Sequence, residues 1–295
     1  MSDTETPDRR HAYREFEPAL IEPFLAGRGI SCVELIPSGK SNTNFKLVLN
    51  DGMKVVLRLF SDVGMNSPQR ESRIAELVGG RVPVPAILDL GEDWILSEFA
   101  PGETLETSPE SEGAAAEVLA RLSEVSFHTG GWIQADGVVA PFDFGDGYVE
   151  SKLEDVGVVG WIGGEGADAV RNILRQEDGR LTEIRAQHVL VHGDFNPSNV
   201  LFQDGDVTAV LDWEYAHSGT RYMDIGNLLR NTDRQFHDAI GRGLVAGGFA
   251  LPEDWKERAA LVDVGSHLEF LTSTRSDEFK RSRVALIDKF IRMFE

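Results

Sequence analysis

The residue types best suited to chemistry lie in one stretch, His192-Gly193-Asp194-Phe195-Asn196-Pro197-Ser198-Asn199. Leu211-Asp212-Trp213-Glu214 begins twelve residues further on. Two apolar runs, Val189-Leu190-Val191 and Val200-Leu201-Phe202, bound the first stretch, which reads as strand, polar loop, strand. A second short strand, Ala209-Val210-Leu211, leads into Asp212. Asp194, Asn199 and Asp212 therefore offer two carboxylates and one amide that can converge. Mg²⁺ takes few protein oxygens and shares its shell with substrate phosphates, so this set suits phosphoryl transfer. Two other readings stay open from these residues alone: a loop-capping Asp194, and a metallohydrolase centre built from His192, Asp194, Asp212 and His217.

The elements that must position this loop can be read along the chain. Residues 13–26 carry apolar side chains at helical spacing, interrupted by Pro18 and Pro23. Three strands follow, around Val33 to Leu35, Phe45 to Leu49 and Val55 to Phe60. A turn at Ser38-Gly39-Lys40-Ser41-Asn42 and a hairpin at Asn50-Asp51-Gly52 join them. Ser67-Pro68 opens a helix that Gly79-Gly80 ends. Residues 86–88 and 94–99 form two more strands, and Pro101-Gly102 is a hinge. The Gly-Lys-Ser at 39–41 is not a nucleotide P-loop. The position five residues before Gly39 is Glu34, and a strand rather than a helix follows. Beyond residue 100 the pattern is helical, from Ser108-Pro109 to residues 282–294, with 130–160 unreadable.

Composition narrows the classes. The 295 residues carry a net charge of −20, which disfavours nucleic acid and anionic membranes as partners and favours a cationic substrate. No apolar run reaches membrane-spanning length. The single cysteine, Cys32, excludes an intrachain disulfide, suits a reducing cytoplasm, and lies in an apolar run that reads as core. Residues 1–12 read as a disordered lead-in. Residues 101–170 hold fourteen acidic and two basic side chains together with Trp132, Phe142, Phe144, Tyr148 and Trp161. Acids and aromatics together can hold an amine-bearing ligand.

In order and spacing, these features resemble the aminoglycoside phosphotransferase/choline kinase family. They are the Ser/Gly turn between strands, Arg58 on the third strand, Glu71 on the next helix, and His-Gly-Asp with Asn199 and Asp212 behind it. The resemblance covers about residues 30–290. It implies an α+β, protein-kinase-like bilobal fold. Residues 1–100 would form a small nucleotide-binding lobe on a five-stranded antiparallel sheet. Residues 101–295 would form a larger, mainly helical catalytic and substrate-binding lobe. It implies Asp194 as catalytic base and Asn199 and Asp212 as Mg²⁺ ligands. Ser38, Gly39, Ser41, Asn42, Arg58, Glu71, Glu98 and Ala100 would meet ATP or GTP, with Lys46 and Lys54 as competitors of Arg58. His192 and Asp224 would be structural supports. Asp136, Glu150, Glu154 and Glu214 are substrate-contact candidates; Glu214 would face the same side as Asp212 if the chain there were extended. The acceptor would be a cationic or polyhydroxylated small molecule. Aminoglycoside leads, with choline, homoserine or sugar-type acceptors and a non-catalytic nucleotide binder as alternatives. Resistance and primary metabolism both stay open, as do monomer and homodimer. The short step from Asp212 to the next helix and the lack of Ala-Pro-Glu weigh against a protein kinase.

Overall fold

The computed structural model describes residues 11–37, 41–64, 66–105, 108–142 and 147–295. Pro18 and Pro23 leave the first segment little helix. It forms a 3₁₀ turn, Pro18–Ile21, and one α-turn, α1 (Glu22–Leu25), which Ala26 ends at φ 46°. The helix expected over 13–26 shrinks to this because each proline removes a backbone donor. Then come β1 (Ile30–Ile36), β2 (Thr43–Leu49) and β3 (Lys54–Leu59). The β2–β3 hairpin turns through Asn50 to Met53, with Gly52 at φ 86° and its N–H donated to the Leu49 carbonyl at 2.9 Å. In α2 (Pro68–Val78) the Ser67 hydroxyl accepts from the Arg70 N–H, and Gly79 closes the helix in the left-handed region. β4 (Ile87–Leu90) and β5 (Trp94–Glu98) complete an antiparallel sheet in the order β1-β2-β3-β5-β4.

Period-2 alternation gives this sheet its inner face. Phe45, Leu47 and Leu49 of β2, Val55, Leu57 and Leu59 of β3, and Trp94 and Leu96 of β5 bury against Ile21 and Leu25. Arg58, between Leu57 and Leu59, must then project from the opposite face. β1 is an edge strand and is largely exposed, so Cys32 is solvent-facing rather than in the core. An apolar run on a sheet edge has only one neighbour to cover it.

β6 (Glu103–Thr104) is followed by α3 (Pro109–Leu122), where Ser108 and Ser111 form a reciprocal cap. The stretch that defied sequence reading holds β7 (Gly131–Ile133), β8 (Val139–Ala140), α4 (Tyr148–Glu154) and the start of α5 (Val156–Gln176). α6 (Asp178–Arg185), β9 (Val189–Val191), β10 (Val200–Gln203), β11 (Asp206–Val210) and β12 (His217–Gly219) lead to α7 (Tyr222–Asn231). α8 (His237–Ala246), α9 (Trp255–Leu271) and α10 (Asp277–Phe294) end the chain.

The chain divides into two compact units. The first comprises Met1–Leu105, Ile133–Val138 and Ser198–Glu214; the second comprises Glu106–Trp132, Val139–Pro197 and Tyr215–Glu295. The first unit therefore takes in the β10–β11 hairpin, onto which β6 pairs at Leu201↔Thr104. The Thr208 hydroxyl donates to the Pro101 carbonyl at 2.6 Å, so Pro101 and Gly102 lie within that unit. The second unit holds the sheet β8-β7-β12-β9, except Ile133 of β7, and the helices from α3 to α10.

Candidate functional site

In the first unit, three charged side chains that are distant in sequence meet. Arg58 Nη1 donates to Glu71 Oε1 at 2.7 Å, and Arg58 Nη2 donates to Asp212 Oδ1 at 2.6 Å. Strand register holds Arg58 between Asn44 and Ile95, and the first turns of α2 hold Glu71. Burial opposes the Arg58 charge, but Glu71 and Asp212 outweigh it and keep the guanidinium firmly protonated. Burial pushes the Glu71 carboxyl upward, with Arg58 opposing. Lys46 instead pairs with Glu34, and Lys54 is exposed at the start of β3. Of the three basic candidates, Arg58 therefore makes the helix contact.

The β10–β11 hairpin places Asn199 and Asp212 at the same end. Val200 pairs with Val210, and the Leu211 N–H donates to the Asn199 carbonyl at 2.8 Å. Asp212 adopts φ 66°, and Trp213–Tyr215 turns as a 3₁₀ helix. Glu214 thus does not continue an extended chain from Asp212, and the geometric reason for pairing the two falls away. Instead Glu214 Oε2 accepts from Asn66 Nδ2 at 3.3 Å, and its carbonyl accepts from Arg70 Nη1 at 3.0 Å. Arg70 also donates through Nε to the Ile133 carbonyl at 2.7 Å. Neither Asn66 nor Arg70 announces itself in sequence, since a polar loop residue and a helix arginine beside a glutamate both read as surface.

In the second unit Asp224 holds the His-Gly-Asp loop. Asp224, near the start of α7, accepts from the backbone N–H groups of His192 at 2.7 Å and Gly193 at 2.9 Å. Burial raises its carboxyl pKa, while His192 and the two N–H bonds oppose the shift. Gly193 is required twice over. Its φ is 82°, and a Cβ would lie 2.5 Å from the Tyr215 carbonyl oxygen. His192 is fully buried, and its Nδ1 accepts from the Asp194 N–H at 3.2 Å. The Asp194 carboxylate accepts from Asn196 Nδ2 at 2.9 Å and is only partly buried. Asn196 was not among the sequence candidates, although its two-residue step from Asp194 is the spacing of a local side-chain bond.

The remaining candidates scatter. Ser38 and Gly39 lie outside the described residues, as do Lys40 and Phe144. Asn42 is buried and accepts from the Ser61 N–H, while the Ser61 hydroxyl donates to the Ser41 carbonyl. Glu98 ends β5, and Ala100 follows two residues later. Asp136 accepts from the Val138 N–H in the β7–β8 turn. Glu150 is tied to Arg171 at 2.6 Å, and Glu154 is exposed nearby on α4. Trp132 and Phe142 pack edge-to-face on each other and on His217, whose Nδ1 meets the Tyr215 carbonyl. Among the described residues, no three His, Cys, Asp or Glu side chains gather as a metal site. One carboxylate and one amide at a hairpin end, by contrast, fit a cation that takes its other ligands from phosphate.

These features define an α+β, protein-kinase-like fold with a five-stranded antiparallel sheet, a polar His-Gly-Asp loop and a carboxylate-bearing hairpin. Residues 33–261 match the phosphotransferase enzyme family, APH, and the chain belongs to that family. A hygromycin-B 4-O-kinase from Escherichia coli is 29% identical over 171 residues, covering 50% of this chain and 47% of that relative. The chain thus aligns with about half the length of that protein. Among solved structures, a proposed fructosamine-3-kinase from Thermobifida fusca superimposes with a TM-score of 0.68 at 18% identity. That superposition covers 94% of this chain and 98% of the other. A thermostable mutant of the aminoglycoside phosphotransferase APH(4)-Ia, in a ternary complex with AMP-PNP and hygromycin B, gives a TM-score of 0.62 at 21% identity over 94% of this chain and 97% of the other. At these identities the solved structures speak for the fold. No helix among the described residues is long and apolar enough to cross a membrane.

Proposed function

We propose that this protein transfers the γ-phosphoryl group of ATP or GTP to a hydroxyl of an amine-bearing small molecule, aminoglycoside-like in character. The observation that carries the reading is the Arg58 bridge between Glu71 and Asp212. It joins a cation suited to nucleotide phosphates to a carboxylate suited to their counter-ion. Residues 1–100 would serve the nucleotide. Ser38, Gly39, Ser41 and Asn42 would cover the phosphates, and Glu98 to Ala100 would meet the base. Asn199 and Asp212 would hold Mg²⁺, which when bound supplies positive charge to the phosphates.

Asp194 would accept a hydrogen bond from the acceptor hydroxyl, orient its oxygen toward the γ-phosphorus, and take the proton late. In a loose transition state the oxygen becomes acidic only as its bond to phosphorus forms and the nucleoside diphosphate departs. Asn196 would fix the Asp194 carboxylate. Asp224 and His192 would fix the loop backbone. Supporting this division of roles, Asp194 is the more accessible acid and Asp224 the fully buried one. Glu154 and Glu214 would favour a cationic acceptor. A second reading, a kinase of sugar-like or other polyhydroxylated acceptors, gains from Glu150 and Asp136 already being engaged by Arg171 and the Val138 N–H.

The deciding experiment is ADP and GDP release from a panel of aminoglycosides, choline, homoserine and amino sugars. Asp194→Ala should reduce turnover to background while nucleotide affinity stays within a few-fold. Near-normal turnover in that variant would remove Asp194 from its role. A silent panel with intact nucleotide binding would favour a non-catalytic nucleotide binder.

A further inference from the structure

We propose that Arg58 guards the metal position: it holds Asp212 in an ion pair until nucleotide phosphates draw the guanidinium away, so metal and nucleotide enter together. This rests on the phosphotransfer reading and adds an order of events to it. The pairing is fixed from both sides. Arg58 is set by its register in β3 and by Glu71 Oε1 at 2.7 Å. Asp212 is set by its left-handed backbone, φ 66°, at the point where the 3₁₀ turn Trp213–Tyr215 begins. The guanidinium fork spans two carboxylates at once, which the single ammonium of lysine does not do in fixed geometry. A divalent cation approaching Asp212 therefore meets a positive group already seated on Oδ1 at 2.6 Å.

Two further observations point to a pairing built to be exchanged. Among the described residues, Arg58 Nε and Glu71 Oε2 are buried without hydrogen-bond partners. Arg58 Nε thus keeps a donor that an anionic ligand could use, and Glu71 Oε2 an acceptor for the guanidinium itself. The local charges also leave a mismatch for either ligand alone. Glu71, Asp212 and Glu214 oppose Arg58 and Arg70, three negative groups against two positive. Phosphates alone would meet excess negative charge. Metal alone would have to displace Arg58 from Asp212, leaving it Glu71 as its one ion-pair partner among the described residues. A metal–nucleotide pair gives Arg58 a phosphate and Asp212 a cation in one step.

The test uses the full chain, with Mn²⁺ as the metal probe followed by electron paramagnetic resonance, and AMP-PNP as the nucleotide. Without nucleotide, wild type should bind Mn²⁺ weakly. Arg58→Met should tighten that binding about tenfold, because apparent affinity scales with the fraction of Asp212 left free. Glu71→Gln should weaken it, since Arg58 then has Asp212 as its one ion-pair partner among the described residues. Asp212→Asn should abolish the tightening in the Arg58→Met background. Unchanged or weaker Mn²⁺ binding in Arg58→Met overturns the proposal. If that variant does not fold, unchanged or tighter binding in Glu71→Gln overturns it. Failure of wild type to bind AMP-PNP would count against the phosphotransfer reading itself. AMP-PNP binding with unmoved Mn²⁺ affinities would reject the guard alone.

Discussion

Asp224 carries more of the loop than its size suggests. Its carboxylate is 1% exposed and accepts from two consecutive backbone N–H groups, those of His192 and Gly193. Removing it leaves both donors unpaired, that of His192 buried and that of Gly193 partly so, and a fully buried one costs about 1–3 kcal/mol. Asp224→Ala should therefore lower the unfolding free energy by about 2–4 kcal/mol in urea titration. Turnover should fall further than the loss of folded protein explains, because the Asp194 backbone follows directly from Gly193. Asp224→Asn keeps one acceptor and places an amide donor against an N–H. It should sit between wild type and Ala on both measures. Equal stability of Ala and wild type would mean that the loop holds itself.

At the level of elements, α7 carries Asp224 at one end and is pinned to α9 at the other. Arg230 Nη1 lies 2.5 Å from Asp263 Oδ1, and His267 Nε2 lies 3.2 Å from Asp263 Oδ2. Gly226 lets the helices close, since a Cβ there would come 2.7 Å from the Asp263 Cβ. Burial, then Arg230 and Arg283, push the His267 pKa down to about 3. An unfolded histidine titrates near 6.5, so between these values the unfolded chain binds a proton that the folded one refuses. Stability should be flat above about pH 7 and should fall as pH drops through that window, by about 2 kcal/mol between pH 7 and pH 5. His267→Gln keeps a donor toward Asp263 without titrating, so the variant should lose that part of the slope in paired urea titrations at the two pH values. Parallel slopes would show the imidazole to be protonated in the fold.

The same scale explains what the sequence could disclose. Caps and periodicity are local, so α2 after Ser67, α3 after Ser108 and α9, where Leu261, Val264, Leu268 and Leu271 recur at 3, 4, 3 spacing, were legible. So was the strand–loop–strand around Asp194, although β9 and β10 pair into different sheets. Residues 130–160 were not, because β7 and β8 are three and two residues long and α5 bends at Gly163, φ 73°. Strands that short have no period to detect. Cys32 misled because an apolar strand does not say whether it lies at a sheet edge, and the extended step from Asp212 to Glu214 failed because a left-handed Asp212 has no sequence signature. The Arg58–Asp212 pair joins residues 154 apart, and only folding brings them together.

On the scale of the whole molecule, the dominant property is charge: 29 basic against 49 acidic residues, net −20. Such a field attracts cations and repels ATP, so the two substrates of the proposed reaction should respond to salt in opposite directions. Long-range attraction between an acidic protein and a polyamine is screened within a Debye length of about 8 Å at physiological ionic strength. For a tri- or tetracationic aminoglycoside, kcat/KM should fall several-fold as ionic strength rises from about 0.02 to 0.3 M, mainly through KM. For the Mg²⁺–nucleotide pair, with part of its charge cancelled, the change should be small or favourable. A neutral sugar acceptor should show almost none. Measuring both KM values across a salt series at fixed pH therefore separates the two acceptor readings without a structure of the complex. A KM that ignores salt for every cationic acceptor would mean that the acidic surface serves solubility and that Glu154 and Glu214 do not meet the substrate.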